Sequence, residues 1–186
     1  MSQKYTCKVA VKESVKSDDE IRQKIDLAPI ISADDMKALL RKELEADGWA
    51  KIDGDVYVKI DGDVKSTLEI GTMEVAHTVE KTIEVDEEVR VTADHWELED
   101  SKKAAQDGAK KRIEARLKHA KDEAAAHVLK VLTDVEAKKT GEVQSVLRKV
   151  YAEALKQKAR KMGDVLEQTE GTNDKGEYEL IIKVAL

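Results

Sequence analysis

Two incompatible apolar spacings occupy separate blocks of this sequence, and a fold has to accommodate both. Met73, Val75, His77, Val79, Ile83, Val85, Val89, Val91 and Ala93 share one parity, while Glu74, Thr78, Glu80, Thr82, Glu84, Glu88, Arg90 and Thr92 take the other. Two-sided alternation of this kind belongs to antiparallel strands with one face buried and one in water. Breaks are expected near Glu80-Lys81 and at Asp86-Glu87-Glu88, where charges interrupt the apolar series.

After Asp100, read as a helix N-cap, the spacing becomes helical. Ala105, Ala109, Ile113, Leu117, Ala120, Ala124, Val128, Val131 and Val135 advance by three or four residues at each step. The small side chains suit close approach of a partner helix. Thr140-Gly141 breaks the pattern, and Val143, Leu147, Val150, Ala154 and Leu155 continue it up to Gly163. The reading is therefore a long antiparallel helical hairpin, its first arm roughly 55–60 Å at 1.5 Å per residue and projecting in part.

Earlier in the chain, Tyr5, Cys7, Val9 and Val11 alternate as a first strand, with Cys7 expected buried and inert. Ser17-Asp18-Asp19-Glu20 has capping-box spacing ahead of Ile21 and Ile25, so a short helix ending before Pro29 is expected. Ser32 opens a second helix with Met36, Leu39, Leu40 and Leu44 on one face and Gly48 past its end. The hexapeptide at Lys51–Val56 recurs at Lys59–Val64; each Asp-Gly reads as a tight turn between short strands. Ile52, Val56, Val58, Ile60 and Val64 share a parity there, and Trp96 is expected to cap the core. Near the end, Asn173-Asp174-Lys175-Gly176 is turn-like, and Tyr178, Leu180, Ile182 and Val184 form a strand expected to close the sheet.

These segments define an α+β fold. An antiparallel sheet of N-terminal strand, central meander and C-terminal strand packs with a short helix and the long hairpin. The division is an acidic sheet region over 1–100, a basic hairpin over 101–168 and a returning strand over 169–186. The outer sheet face should be acidic.

Charge layout is the functional signal. Positions 101–161 hold 17 Lys plus Arg against 8 Asp plus Glu, a net of +9. The remaining 16 cationic and 31 acidic residues leave −15, and the whole chain carries −6. Complementary charge between helices and sheet accounts for part of this. The functional reading is a cationic docking surface carried by Lys110, Lys111, Arg112, Lys156, Lys158, Arg160 and Lys161. An acidic protein surface or self-association is the expected partner. Nucleic acid is the alternative, through phosphate neutralisation, although Tyr151 is the only aromatic in that region.

Chemistry-bearing patterns are sparse. His119, Glu123 and His127 stand at helical i, i+4 spacing and form the candidate metal set, which needs further ligands from elsewhere. Asp53, Asp55, Asp61 and Asp63 invite a calcium reading, but an EF-hand count from Asp61 places Lys65 and Thr72 at ligand positions and fails. His77 reads as a hydrogen-bonded core histidine. No cofactor is expected, and enzyme activity, metal-dependent or otherwise, lacks a supporting motif. One cysteine excludes an internal disulfide, and no apolar run approaches the ~18 residues of a membrane span. The expectation is a cytoplasmic protein without membrane contact, acting as an interaction or scaffold subunit of a larger assembly.

Overall fold

The computed structural model describes residues 3–172 and 178–185, so the turn at Asn173–Gly176 lies outside the described residues. The fold is α+β. Its elements run β1 (Gln3–Lys24), α1 (Ala33–Ala46), β2 (Ala50–Asp53), β3 (Val56–Asp61), β4 (Val64–Glu69), β5 (Glu74–His95), α2 (Leu98–Met162), β6 (Asp164–Thr172) and β7 (Tyr178–Ala185). A five-stranded antiparallel sheet has the order β1-β5-β4-β3-β2, and β6-β7 form a separate two-stranded sheet. The chain divides into two compact units: 1–20 with 78–134, and 21–77 with 135–186.

In the first unit the strand alternation is realised on both β1 and β5. Odd-numbered residues of β5 from Val79 to Ala93 are buried or half-buried, and the even-numbered ones from Glu80 to Asp94 are exposed, without a break at either charge cluster. Lys81 and Glu87 hold the inward parity as half-buried residues. Glu87 is neutralised there by a two-pronged contact from Arg116. The inner stripe of α2 is buried at Ala105, Ala109, Ala120, Ala124 and Val128. Those small residues serve a sheet and not a partner helix: a Cβ added to Gly108 would sit 2.9 Å from Val91 Cγ1. Cys7 is half-buried, more open than expected. Trp96 is 80% exposed and caps nothing, which corrects its assignment to the core. At this junction α2 starts at Leu98, before Asp100, with Ser101 Oγ accepting from the His95 N–H at 3.0 Å.

The exposed face of β1 and β5 is mixed in charge and not simply acidic. Lys16 meets Glu80 at 2.7 Å, and Lys12 stands 3.8 Å from Asp86. Thr6 and Thr92 share a hydrogen bond of 2.8 Å across the same strands. Each exposed pair contributes little alone, on the order of 0–1 kcal/mol. Together they blunt a long edge strand with lysine.

In the second unit the core gathers Met36, Leu39, Leu40 and Leu44 of α1, Trp49, Tyr57, Leu68, Ile70 and Val75 of the sheet region, and Val143, Val146, Val150 and Ala154 of α2. Helix α1 forms as its sequence dictates: Ser32 Oγ accepts from the Asp35 N–H at 3.2 Å, and the buried residues are the four of its stripe. Gly54 and Gly62 have φ of +47° and +59°, which places each repeat in a two-residue hairpin turn. Such a turn sets residues i and i+3 opposite one another, so parity changes across it. Val64 faces Asp61 and Leu68 faces Tyr57. In β3 Tyr57 and Val58 are both buried, at 1% and 7% exposed, whereas Ile52 and Ile60, which share the parity of Val58, are 63% and 72% exposed.

Three elements depart from the sequence reading. No helix forms over Ser17–Ile25, because β1 continues to Lys24 and Arg22 reaches Glu74 at 3.1 Å. Long-range pairing outweighs a local cap worth about 1 kcal/mol. The helical hairpin is replaced by one continuous helix. Gly141 costs only about 1 kcal/mol against alanine in a helix interior, and its surroundings are open. Lys139 holds Glu142 at 2.9 Å across the Thr140-Gly141 step and also reaches Asp61, fixing both sides of that step. Finally, β7 does not join the large sheet but pairs with β6, from Asp164↔Ala185 to Thr172↔Tyr178.

Candidate functional site

Helix α2 presents its cations differently in the two units. In the first, Lys110, Lys111 and Arg112 are consecutive and exposed. Arg112 Nη1 donates to the Arg90 carbonyl at 3.2 Å, whereas Lys110 and Lys111 have no side-chain ion pair among the described residues. In the second, Lys156 is withdrawn from solvent, its side chain 17% exposed and bound to Glu170 at 2.7 Å. Lys156 holds the Glu170 carboxyl below the usual range, with help from the Tyr178 hydroxyl. Burial, then the hydrogen bond to Glu170, pushes Tyr178 up to about 12. Lys158, Arg160 and Lys161 are exposed without an ion pair among the described residues. At helical spacing Lys158 and Lys161 share one flank, and Arg160 points elsewhere.

Five other α2 cations are paired with neighbouring carboxylates: Lys102 with Glu99, Arg116 with Glu87, Lys138 and Lys139 with Asp61, and Lys149 with Asp47. Lys103, Lys118, Lys121 and Lys130 have no ion pair among the described residues. Lys139 is the distinctive one, 2% exposed overall. Burial pulls its ammonium pKa down, but hydrogen bonds to Glu142 and Asp61 overcome this and leave it raised. Sequence spacing gave no sign of it, because a lysine adjoining Thr-Gly reads as a loop residue.

Two of the repeated aspartates, Asp55 and Asp61, bind the protein's own cations. Asp55 takes a two-pronged contact from Arg41 at 2.8 and 2.9 Å, and its carboxyl is held low by it. Asp61 is held low by Lys139 and Lys138. In the candidate metal set, His119 Nδ1 and Glu123 are 3.8 Å apart with side chains 72% and 64% exposed. Among the described residues no group of three or more His, Cys, Asp or Glu side chains is placed to hold a metal ion.

His77 is 3% exposed, with Nδ1 2.9 Å from Ser66 Oγ, the hydrogen-bonded core histidine that its parity implies. Its Nε2 has no partner among the described residues. Burial lowers its pKa, Lys139 lowers it further, and Glu142 acts in the opposite sense. The unfolded chain thus binds the proton more readily, and stability present above about pH 6.5 falls as pH drops through the folded-state value. Urea midpoints should decline from pH 7.5 to pH 5 in the parent and decline less in His77→Gln; equal slopes would contradict the buried neutral ring.

The second unit also carries an apolar groove of about 500 Å³, with Leu155, Lys158, Ala159 and Met162 on α2 facing Leu180, Ile182 and Val184 of β7. Its strand wall was not anticipated, because β7 was expected in the large sheet. Among the described residues, no helix is long and apolar enough to cross a membrane.

The fold thus defines a class: an α+β protein with a cation-bearing long helix and an apolar groove between that helix and a two-stranded sheet. A family model, fvmX5, described as FtsH ternary system domain X5, matches residues 1–186, and the chain belongs to that family. Neither the curated proteins nor the solved structures contain a match to it. A ternary-system domain is a component of a multi-protein system, with protein partners.

Proposed function

We propose that this chain is a non-catalytic docking component of the FtsH ternary system, and that cations of α2 receive an acidic surface of another protein component. The observation that supports the reading is a division of labour along one helix. Lys102, Arg116, Lys138, Lys139, Lys149 and Lys156 are paired with carboxylates of this chain. Lys110, Lys111, Lys158, Arg160 and Lys161 are exposed and unpaired among the described residues. A cation left unpaired beside abundant carboxylates is available to an external partner, and such charges raise association rates and fix orientation.

Two charge-reversed variants test the reading separately in each unit: Lys110→Glu with Lys111→Glu, and Lys158→Glu with Lys161→Glu. Each substituted side chain is exposed, so helix content and thermal midpoint should be preserved. Recovery of the partner from the native cell should fall at least several-fold in one pair or the other, and further as salt rises. Recovery at parental level from both variants would refute the proposal. Nuclease treatment should leave parental recovery unchanged, and its loss would transfer the cations to the nucleic-acid reading.

A further inference from the structure

The two-stranded β6-β7 sheet leaves one edge of β7 without a strand partner among the described residues. A lone two-stranded ribbon is marginal in water, and open edges are ordinarily blunted by charge, proline or shortness. Strand β1 carries lysines along its exposed face, and β2 is only 4 residues long. Strand β7 is 8 residues long and carries a single lysine, Lys183: Leu180-Ile181-Ile182 runs uninterrupted through its middle, and Ile181 is 45% exposed. The charges flanking that run have opposite sign, Glu179 before it and Lys183 after it.

We propose that a second copy of this chain covers the β7 edge, the two β7 strands pairing antiparallel about a twofold axis at Ile181. This register sets Glu179 opposite Lys183 of the second copy, and symmetry repeats the pair. Ile181 meets its own counterpart on that face. On the other face Leu180 meets Ile182, beside the apolar groove formed with α2. Shifting the centre to Ile182 would set Lys183 opposite Ile181 and lose both ion pairs, so charge selects the register as well as the partner. Within its own ribbon Lys183 contacts Glu167, while Glu179 lies opposite Gly171, so Glu179 is open to a lysine from outside. An isologous interface of this kind is the commonest symmetry among homo-oligomers. It is independent of the α2 cations, and either reading can fail alone.

The test uses the full chain with Cys7→Ser, which leaves no other thiol. Directly opposed residues in an antiparallel pair have Cα atoms roughly 4.5–5.5 Å apart, within disulfide reach. Ile181→Cys should therefore give a covalent dimer under mild oxidation, and Glu179→Cys, which faces position 183, should not. Sedimentation over a concentration series should show a monomer–dimer equilibrium that Glu179→Lys weakens about tenfold or more, since two favourable pairs become repulsive. A monomer at every concentration overturns the proposal. So does a dimer indifferent to Glu179→Lys, including one that responds only to Lys158→Glu and Lys161→Glu. Equal cross-linking through positions 179 and 181 overturns the register. Capture of a different protein at β7 by an otherwise monomeric chain overturns the choice of occupant.

Discussion

Gly163→Ala should release the β6-β7 ribbon from the end of α2 while leaving the core of its unit folded. A Cβ at position 163 would lie 2.0 Å from the Ala185 carbonyl oxygen, 3.1 Å from the carbonyl carbon and 3.0 Å from Val184 Cγ1. Two of these atoms are backbone, so no change of rotamer relieves the clash, and β7 must move. Overpacking of this kind costs typically about 1–3 kcal/mol. Ribbon residues Asp164–Thr172 are exposed throughout, so few buried contacts oppose that movement. Amide exchange over 164–172 and 178–185 should accelerate by roughly one to two orders of magnitude. Exchange at Leu40 and Val150, both 0% exposed, should change little. Because the ribbon supplies β7, the same variant should also lose the dimer, whereas the response to Lys110→Glu with Lys111→Glu should be unaltered. Parental exchange over the ribbon would refute the clash between a Cβ at position 163 and the Ala185 carbonyl.

What the sequence made legible was period, and what it concealed was partnership. The Met36–Leu44 stripe, its Ser32 cap and the Asp-Gly turns depend on residues within a few positions of one another, and all formed as read. The parity of β5 was also plain, since alternation survives whatever a strand pairs with. The failures share another origin. Ser17–Glu20 looked like a cap because its competitor, a partner strand carrying Glu74 and Glu80, lies far along the chain. Thr140-Gly141 looked like a break because Asp61, which fixes Lys139 beside it, is equally distant. The shared parity of Ile52, Val58 and Ile60 was a partial guide: Val58 is buried, but Ile52 and Ile60 are exposed, and Tyr57 of the other parity is buried because the two-residue turn sets it on the face of Leu68. For the same reason the candidate cations could be named as a group but not sorted. Which lysine is spent on a carboxylate is a property of tertiary contact, and Lys156 differs from Lys158 only through Glu170.

Lys139→Glu should be the most damaging single charge change in the second unit, and Lys139→Met markedly milder than it. The lysine side chain is 3% exposed, and its ammonium bridges Asp61 and Glu142, each at 2.9 Å. Reversal would place three carboxylates together with no buried cation between them. Breaking a buried pair so as to leave uncompensated charge costs on the order of 3–5 kcal/mol. Methionine keeps most of the buried aliphatic stem and removes the charge that must be desolvated, so a loss of about 1–2 kcal/mol is expected, with Asp61 still meeting Lys138 at 3.3 Å. The contrast is what tests the role of the contact, because packing alone would make the two substitutions similar. Lys139 is raised by its carboxylates, so its own contribution is full below about pH 10.5 and is lost only as pH rises through the higher folded-state value. Urea midpoints at pH 7.5 therefore compare the variants with the parent lysine fully charged. Should Lys139→Glu unfold no earlier than Lys139→Met, the helix must be held across Gly141 by its apolar neighbours Val143 and Val146 alone, and the ionic bridge to Asp61 would be incidental to the continuity of α2.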